Sequence, residues 1–518
     1  MDDVVIVGAG PVGLLLACEL GLAGCSVTVL EREPGGENPW RTAPLGMRGL
    51  TAASVEAFHR RGLLPALREA VGPTPAGFGP EPAAGDRTDP GTGAADGVLP
   101  PPRAGHFAGI MLGGVELDET TLPPRLPTPA TDRLMIHLAD VEGMLARRAD
   151  ELGVRILRDT PVTGLDQDDD GVVVHSRTGT FAARWVVGCD GGRSAVRRLA
   201  GFDFVGTEPQ FTGYVLHARV DDLDKLDRGF NLTPQGMYLR MPTDGHLGIM
   251  DFDGGAFDRS RPPTPEHLQE VLRRVSGTDV TLLEVWNASS FTDRAMQATT
   301  YRRDRVLLAG DAAHIHSPLG GQGLNSGLAD ALNLGWKLAA TARGAAPDGL
   351  LDTYDDERHP VAAAVLDWSR AQVALMRPGP QAAALQSVVR DLLTTRDGAG
   401  YVYLRTSGAG LRLDLGDAHP MVGRVAPEFR LADGTWLGEL TATGSGVLLD
   451  PGADPALGAV AHGWADRIRR VTGPLRDDLG TGTVLLRPDG VVAWVGGDRP
   501  DPTALRRAAR RWFGEPAA

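Results

Sequence analysis

The sequence predicts an α/β protein of several units, and three patterns carry that prediction. Short β-branched runs lead into glycine turns and then helices near residues 4, 185 and 305. Strand-like segments dominate residues 203–296, with one helix among them. Residues 412–518 return to short strands and helices after a mostly helical stretch at 348–400. A chain of 518 residues is long enough for about three ordinary domains. Its 68 Gly and 38 Pro make up about a fifth of the chain, against about 12% on average. The apolar content is too high and too periodic for disorder, so these residues belong at turns and backbone-contact sites.

Charge and cysteine usage exclude several classes. A net charge of −14 argues against nucleic acid or an anionic membrane as the main partner. Cys18, Cys25 and Cys189 show no metal spacing and no disulfide framework, so a reducing cytoplasm is expected. Met1-Asp2-Asp3 lacks the basic region of a signal peptide. The apolar run from Val4 to Leu30 is broken by Glu19 and several glycines, well short of a membrane span.

The first element is the most informative. Val4 to Val7 reads as a strand buried on both faces. Gly8-Ala9-Gly10-Pro11-Val12-Gly13 follows, then an apolar helix from Leu14 to Leu22 that Gly24 can close. A second strand, Ser26 to Leu30, ends at Glu31 and Arg32. In this Rossmann-type pattern Gly8 makes the tight turn, Gly10 lets backbone approach a pyrophosphate, and Gly13 lets helix and strand pack closely. The helix N-terminus favours the phosphates, and Glu31 can accept from a ribose diol. The motif alone leaves NAD and FAD both open.

Two further segments narrow the choice. Trp185 to Arg197 contains Gly188-Cys189-Asp190-Gly191-Gly192-Arg193, again strand, glycine turn and helix. Arg305 to Asn325 reads RVLLAGDAAHIHSPLGGQGLN, and an amphipathic helix follows from Ser326 to Ala342. Together with the first motif, and in this order, these segments resemble the class A flavoprotein aromatic monooxygenases. That is the para-hydroxybenzoate hydroxylase and phenol hydroxylase group. Within it the chain is most similar to actinobacterial hydroxylases that tailor aromatic polyketides, over nearly its whole length.

The resemblance implies a GR2-type FAD-binding domain, an inserted antiparallel-sheet substrate domain and a thioredoxin-like C-terminal domain. It implies that Asp311 accepts a ribityl hydroxyl, and that Gly321, Gly323, Leu324 and Asn325 turn backbone N–H groups to the flavin pyrimidine edge. It puts Pro318 on the reacting face, and Asp190 with its glycines and Arg193 near the pyrophosphate. Elementary electrostatics agrees, since a helix starting near Leu324 sets its positive end against the charge of reduced flavin. Asp311 has a second reading as a helix cap. His314 and His316 read as loop packing or, with no third ligand nearby, as a metal pair. Arg193 and Arg197 also read as surface charges. Family members often carry Arg where this chain has Ala53, and Gln where it has Leu138. Arg41 and Arg48 are the candidates to compensate, with Arg41 carried over.

The expected domains are 1–202 and 297–400 for FAD, 203–296 for the substrate and 412–518 for the tail. Residues 72–104, rich in Gly and Pro, form either a loop over the active site or a surface excursion. Arg133 to Leu152 is expected as helix, and Val154 to Val162, Val172 to Ser176 and Thr180 to Val187 as strands. In the inserted unit, strands are expected around Tyr214–Val220, Met237–Met241 and His246–Phe252, with a helix at Pro265–Val275. Its aromatics and methionines suit a flat apolar ligand or simply a core. No cysteine follows Cys189, so the tail cannot do dithiol chemistry.

The expected activity is monooxygenation of a polycyclic aromatic polyketide or related phenol, with FAD, O₂ and NADPH or NADH. The resemblance implies a C4a-hydroperoxyflavin as oxygen donor and ring hydroxylation as outcome. Candidates for substrate contact or proton handling are His106, Arg133, His137, Tyr238, Asp251 and Pro318, with no unambiguous base among them. Baeyer–Villiger insertion, a flavin dehydrogenase and a non-catalytic flavin-binding partner are the alternatives. A homodimer is left open.

Overall fold

The computed structural model describes residues 1–517 other than 37, 72–104, 113–116, 131–132, 478 and 498. The expected 72–104 loop therefore lies outside the described residues. Strand β1 (Asp2–Val7) runs into helix α1 (Pro11–Leu22), and β2 (Val27–Leu30) follows. β3 (Met47–Thr51) leads into α2 (Ala52–His59) and pairs antiparallel with β4 (Arg133–His137), which leads into α3 (Leu138–Glu151). β5 (Arg155–Leu157), β6 (Val162–Gln167), β7 (Val172–Ser176) and β8 (Gly179–Gly188) come next.

The inserted sheet consists of β9 (Thr212–Asp221), β10 (Gly229–Thr233), β11 (Gly236–Arg240), β12 (His246–Asp251) and β13 (Thr281–Thr292), with α4 (Pro265–Ser276) before the last strand. The chain then returns through β14 (Val306–Leu308) to α5 (Gln322–Ala342), α6 (Thr353–Met376), α7 (Pro380–Leu393) and α8 (Arg396–Ser407). The tail holds β15 (Gly446–Asp450), α9 (Pro455–His462), β16 (Ile468–Thr472), β17 (Thr483–Leu486), β18 (Val492–Gly497) and α10 (Pro502–Phe513).

The central sheet has the parallel order β14-β8-β1-β2-β5, with β7 and β6 added antiparallel beside β8. Helix α1 packs between this sheet and α5, so the strand ends, the glycine turn and the start of α5 meet at one edge. The inserted sheet has the antiparallel order β10-β11-β12-β9-β13. The tail sheet runs β16-β15-β17-β18, with only β15 and β16 parallel. No helix among the described residues is long and apolar enough to cross a membrane.

Four expected elements differ. Residues 133–137 form β4, not the start of a helix, because Leu134 and Ile136 find partners in Leu50 and Arg48 of β3. Cross-strand pairing outweighs the helical periodicity there. The strand expected over 154–162 breaks after Leu157, where Asp159 takes a left-handed φ of 52°. Helix α5 starts at Gln322, four residues early, because Gly321 at φ 65° caps it. Pro11 likewise starts α1 ahead of Leu14, since its fixed φ suits the first helical position.

Register decides what the inserted sheet shows to the centre. Met237 pairs with Met250, and Tyr238 with Ile249. Side chains alternate, so Met237 and Met250 share one face and Tyr238 and Ile249 the other. The first face packs with Phe211, Ala108 and Leu319. The second is covered by α4 through Leu268, Val271 and Leu272.

Candidate functional site

The glycine turn is shaped by contact. Gly8 has φ 108°, and a Cβ there would sit 2.4 Å from the Cys189 carbonyl oxygen. A Cβ on Gly13 would lie 2.0 Å from the Gly8 oxygen. Gly10, by contrast, faces open space, leaving its backbone free for a partner outside the chain. Pro11 begins α1, and Val12 packs within 3.1 Å of where a Gly310 Cβ would be, so it braces one turn against another.

The charged residues expected around this turn divide. The buried Glu31 carboxylate accepts from Ala9 N–H at 2.7 Å and Glu33 N–H at 2.9 Å, which leaves lone pairs for a diol. Arg32 is exposed and pairs with Glu33 at 3.3 Å. Arg41 donates to Glu142 at 3.0 Å and is thereby committed to α3. Arg48 donates to the carbonyls of Leu45, Met47 and Trp40, and burial pulls its pKa down. Asp190 Oδ2 accepts from Ala195 and Val196 N–H at 2.6 and 3.2 Å, while its Oδ1 is buried without a partner among the described residues. Arg197 donates to Ala312 and Gly192 carbonyls, so it is structural rather than a surface charge.

The Gly310–Ala312 turn rests on a buried network that sequence reasoning missed. Asp330 of α5 accepts from Gly310 N–H at 3.1 Å, pairs with His314 Nε2 at 2.8 Å and takes Arg358 Nε at 2.7 Å. The Arg358 and His314 charges hold the Asp330 carboxyl below the usual range against the cost of burial. The signal was present in the sequence as a lone Asp on the apolar stripe of Leu328, Ala331 and Leu334. His314 is thus a partner of Asp330. Asp311 is exposed, and its carboxylate has no hydrogen bond among the described residues, so it caps nothing there.

At the start of α5, Asn325 is fully engaged. Its amide oxygen accepts from Thr51 N–H and Ser54 Oγ at 2.9 and 2.7 Å. Its amide nitrogen donates to Gly49 and Gly321 carbonyls, each at 2.9 Å. This side chain ties α5 to β3 and α2. The first-turn N–H groups around Gly323 and Leu324 have no intrahelical acceptor and point out of the helix end. A Cβ on Gly321 would meet nothing. His316 donates through Nδ1 to the Ser317 carbonyl at 2.7 Å, and its buried Nε2 has no partner among the described residues.

Opposite this end lies the methionine-bearing face of the inserted sheet. His106 packs on Phe230 in a tilted arrangement with ring centres 4.2 Å apart, and Gly109 N–H donates to its Nδ1 at 3.2 Å. Burial and the Arg133 charge push the His106 pKa down to about 4. Arg133 borders the cleft at the start of β4, with its own pKa lowered by desolvation. His137 has a buried Nδ1 without a partner among the described residues. Pro318 is exposed beside Leu319, which joins the same apolar cluster as Met237. His246 lies on the Met250 face, two pleats away, with its pKa pushed to about 4 by burial and by His217 and Arg48. The period-two spacing from Met250 would have found it.

Two candidates are corrected. Tyr238 sits in the cluster under α4, where its hydroxyl accepts from Asp227 N–H at 3.2 Å. Asp251 pairs with Arg274 of α4 at 2.5 Å. Both face away from the cleft, because each is one residue out of phase with a cleft-facing methionine.

Comparison with known proteins adds the family. Residues 1–369 match the model of the FAD binding domain, and residues 419–516 that of the aromatic-ring hydroxylase C-terminal domain. The chain belongs to the FAD-dependent aromatic-ring hydroxylases. This monooxygenase is 38% identical to a rifampicin monooxygenase of Streptomyces venezuelae over 100% of both chains. It is also 35% identical to a dialkyldecalin synthase of Streptomyces rugosporus, over 100% of both. Among solved structures it is similar to the OxyS anhydrotetracycline hydroxylase from Streptomyces rimosus, with TM-score 0.84, 35% identity and 100% of both chains covered.

FAD is the cofactor, and the edge described above suits it. Open glycines at 10 and 321, an unpartnered carboxylate on Asp311 and orphaned buried atoms on Asp190 and His316 are the donors and spaces that a dinucleotide would complete.

Proposed function

We propose that the chain inserts one oxygen atom from O₂ into a polycyclic aromatic polyketide or related phenol, most directly by ring hydroxylation, with NADPH or NADH as reductant. The observation that carries this reading is the apolar, methionine-bearing sheet face set opposite the Pro318–Gly321 loop and the start of α5. Such an apolar face suits a flat ring system. FAD, once bound and reduced, supplies the oxygen-activating chemistry that no side chain has.

The residues have distinct tasks in this reading. The α1 N-terminus with Gly8, Gly10 and Gly13 holds the pyrophosphate, and Glu31 the ribose. Asp311 accepts from the ribityl chain, and the first-turn N–H groups of α5 face the pyrimidine edge. Met237, Met250 and Phe211 keep water away from the ring. His106 is neutral at pH 7, and its Nδ1 accepts from Gly109, so its proton sits on Nε2. It therefore donates to a substrate oxygen rather than removing a proton. Arg133, Arg48 and His246 supply positive or donor character for a phenolate. Arg32 and Arg41 stand further out, one exposed and one tied to Glu142.

The tail, a β-α-β unit followed by a hairpin and helix, is read as thioredoxin-like without redox chemistry. The proposal keeps the domain limits read from the sequence, 1–202 with 297–400, 203–296 and 412–518, and a cytoplasmic homodimer. The synthase relative gives a second reading, in which the flavin fold shapes a reaction without oxygen insertion. The test uses purified, FAD-loaded protein with a hydroxyanthraquinone. Stimulated NAD(P)H oxidation and a product one oxygen heavier support the hydroxylase. Stimulated oxidation with an unchanged product removes it.

A further inference from the structure

We propose that this chain holds a second binding chamber, for a planar polycyclic phenol, on the far side of helix α5 from the cofactor cradle. The chamber has a volume of about 720 Å³ and is walled by α2, α5, α6, α8 and the first part of the tail. Small-molecule sites commonly measure about 300–1,000 Å³. None of its described lining residues belongs to 203–296, so it is distinct from the space under the inserted sheet.

The two spaces share a wall. Trp368 lines the chamber, and it also meets Phe107 in a tilted ring contact at 4.6 Å and packs in the cluster that holds Met237 and Met250. Its indole N–H is buried without a partner among the described residues. At the opposite end Thr51 and Asn325 line the chamber, and their hydrogen bond fixes the start of α5. A ligand in the chamber thus touches the helix that faces the flavin.

Its chemistry selects the ligand class. Leu332, Ala364 and Val365 give apolar walls, and Trp368 and Tyr401 give aromatic ones. The Arg405 guanidinium lies 4.8 Å from the Tyr401 ring centre and 5.5 Å from that of Trp368, an arrangement that accepts an aromatic face and an acidic hydroxyl. A nucleotide fits poorly. The wall carries the Glu56 and Glu428 carboxyl groups, while Arg358, Arg60 and Arg412 are committed to Asp330 or to backbone carbonyls. The ligand class rests on the hydroxylase reading above. The chamber then stores a second molecule of substrate or product beside the flavin site.

The test titrates FAD-loaded protein with 1,8-dihydroxyanthraquinone. Equilibrium dialysis counts bound molecules, and flavin absorbance reports the flavin site alone. The expected result is two molecules per chain, falling to one in Ala364→Trp, with the flavin change retained. Ala329→Phe, on the facing wall, gives the same fall if the first variant does not hold FAD. One molecule per chain that perturbs the flavin, unaltered by either substitution, would overturn the chamber and leave the hydroxylase standing. Loss of one molecule in the variants, with the flavin unperturbed throughout, would uphold the chamber and remove the reading of the flavin face.

Discussion

Asp311 and Asp330 sit close together in the fold but answer to different physics. Asp311 is exposed and has no hydrogen-bond partner among the described residues, so Asp311→Ala is expected to remove the proposed ribityl contact and little else. A lost hydrogen bond to a charged group costs about 1.5–3 kcal/mol. FAD dissociation, followed by flavin fluorescence, is expected to rise accordingly while the melting temperature stays put. Asp330 is buried between His314 and Arg358. Breaking such a pair costs about 3–5 kcal/mol, so Asp330→Asn is expected to lower the melting temperature and FAD content together. The three glycines of the first turn were legible because their role is backbone geometry, which sequence encodes locally. Tyr238 and Asp251 were misread because the face of a strand residue depends on register and on the partner Arg274, far along the chain.

Helix α5 links the cofactor edge to the tail. Near its middle, Asn333 donates to Glu357 at 2.6 Å and Lys337 pairs with Glu357 at 3.0 Å, while Arg487 of the tail grips the same carboxylate at 2.8 and 2.9 Å. These cations hold the Glu357 pKa near 2 despite burial. A depressed carboxyl pKa stabilises the fold above the ordinary value of about 4.5, and that contribution is lost as pH falls toward 2. The fold should therefore lose stability across this window, and Glu357→Gln should flatten the dependence while costing about 3–5 kcal/mol. Calorimetry against pH reads both effects. The helix itself was legible from its period, but its start was not. Gly321 in the left-handed region moved it forward, a choice the flanking loop makes.

Across the whole molecule, the tail is fused to the cofactor domain. Trp336 of α5 belongs to the tail's apolar core, and Arg61 after α2 holds Glu19 at 2.6 and 2.7 Å while donating to Pro488 O at 2.8 Å. Arg61→Ala, which strands Glu19, is expected to loosen tail and cradle together, seen as a single lowered transition with FAD release. The thiols are not expected to react. Burial pushes Cys18 up to about 12 and Cys25 to about 11, and raises Cys189 as well. Iodoacetamide at pH 7 should leave turnover unchanged. The glycine-turn motifs of the cofactor domain were legible because each lies within one short stretch of chain. The docking was not, because it joins residues hundreds of positions apart. The most direct test of the whole account is turnover under ¹⁸O₂ with a hydroxyanthraquinone and NAD(P)H. The account predicts a product carrying one ¹⁸O atom, and reductant consumption with no label in the product would contradict it.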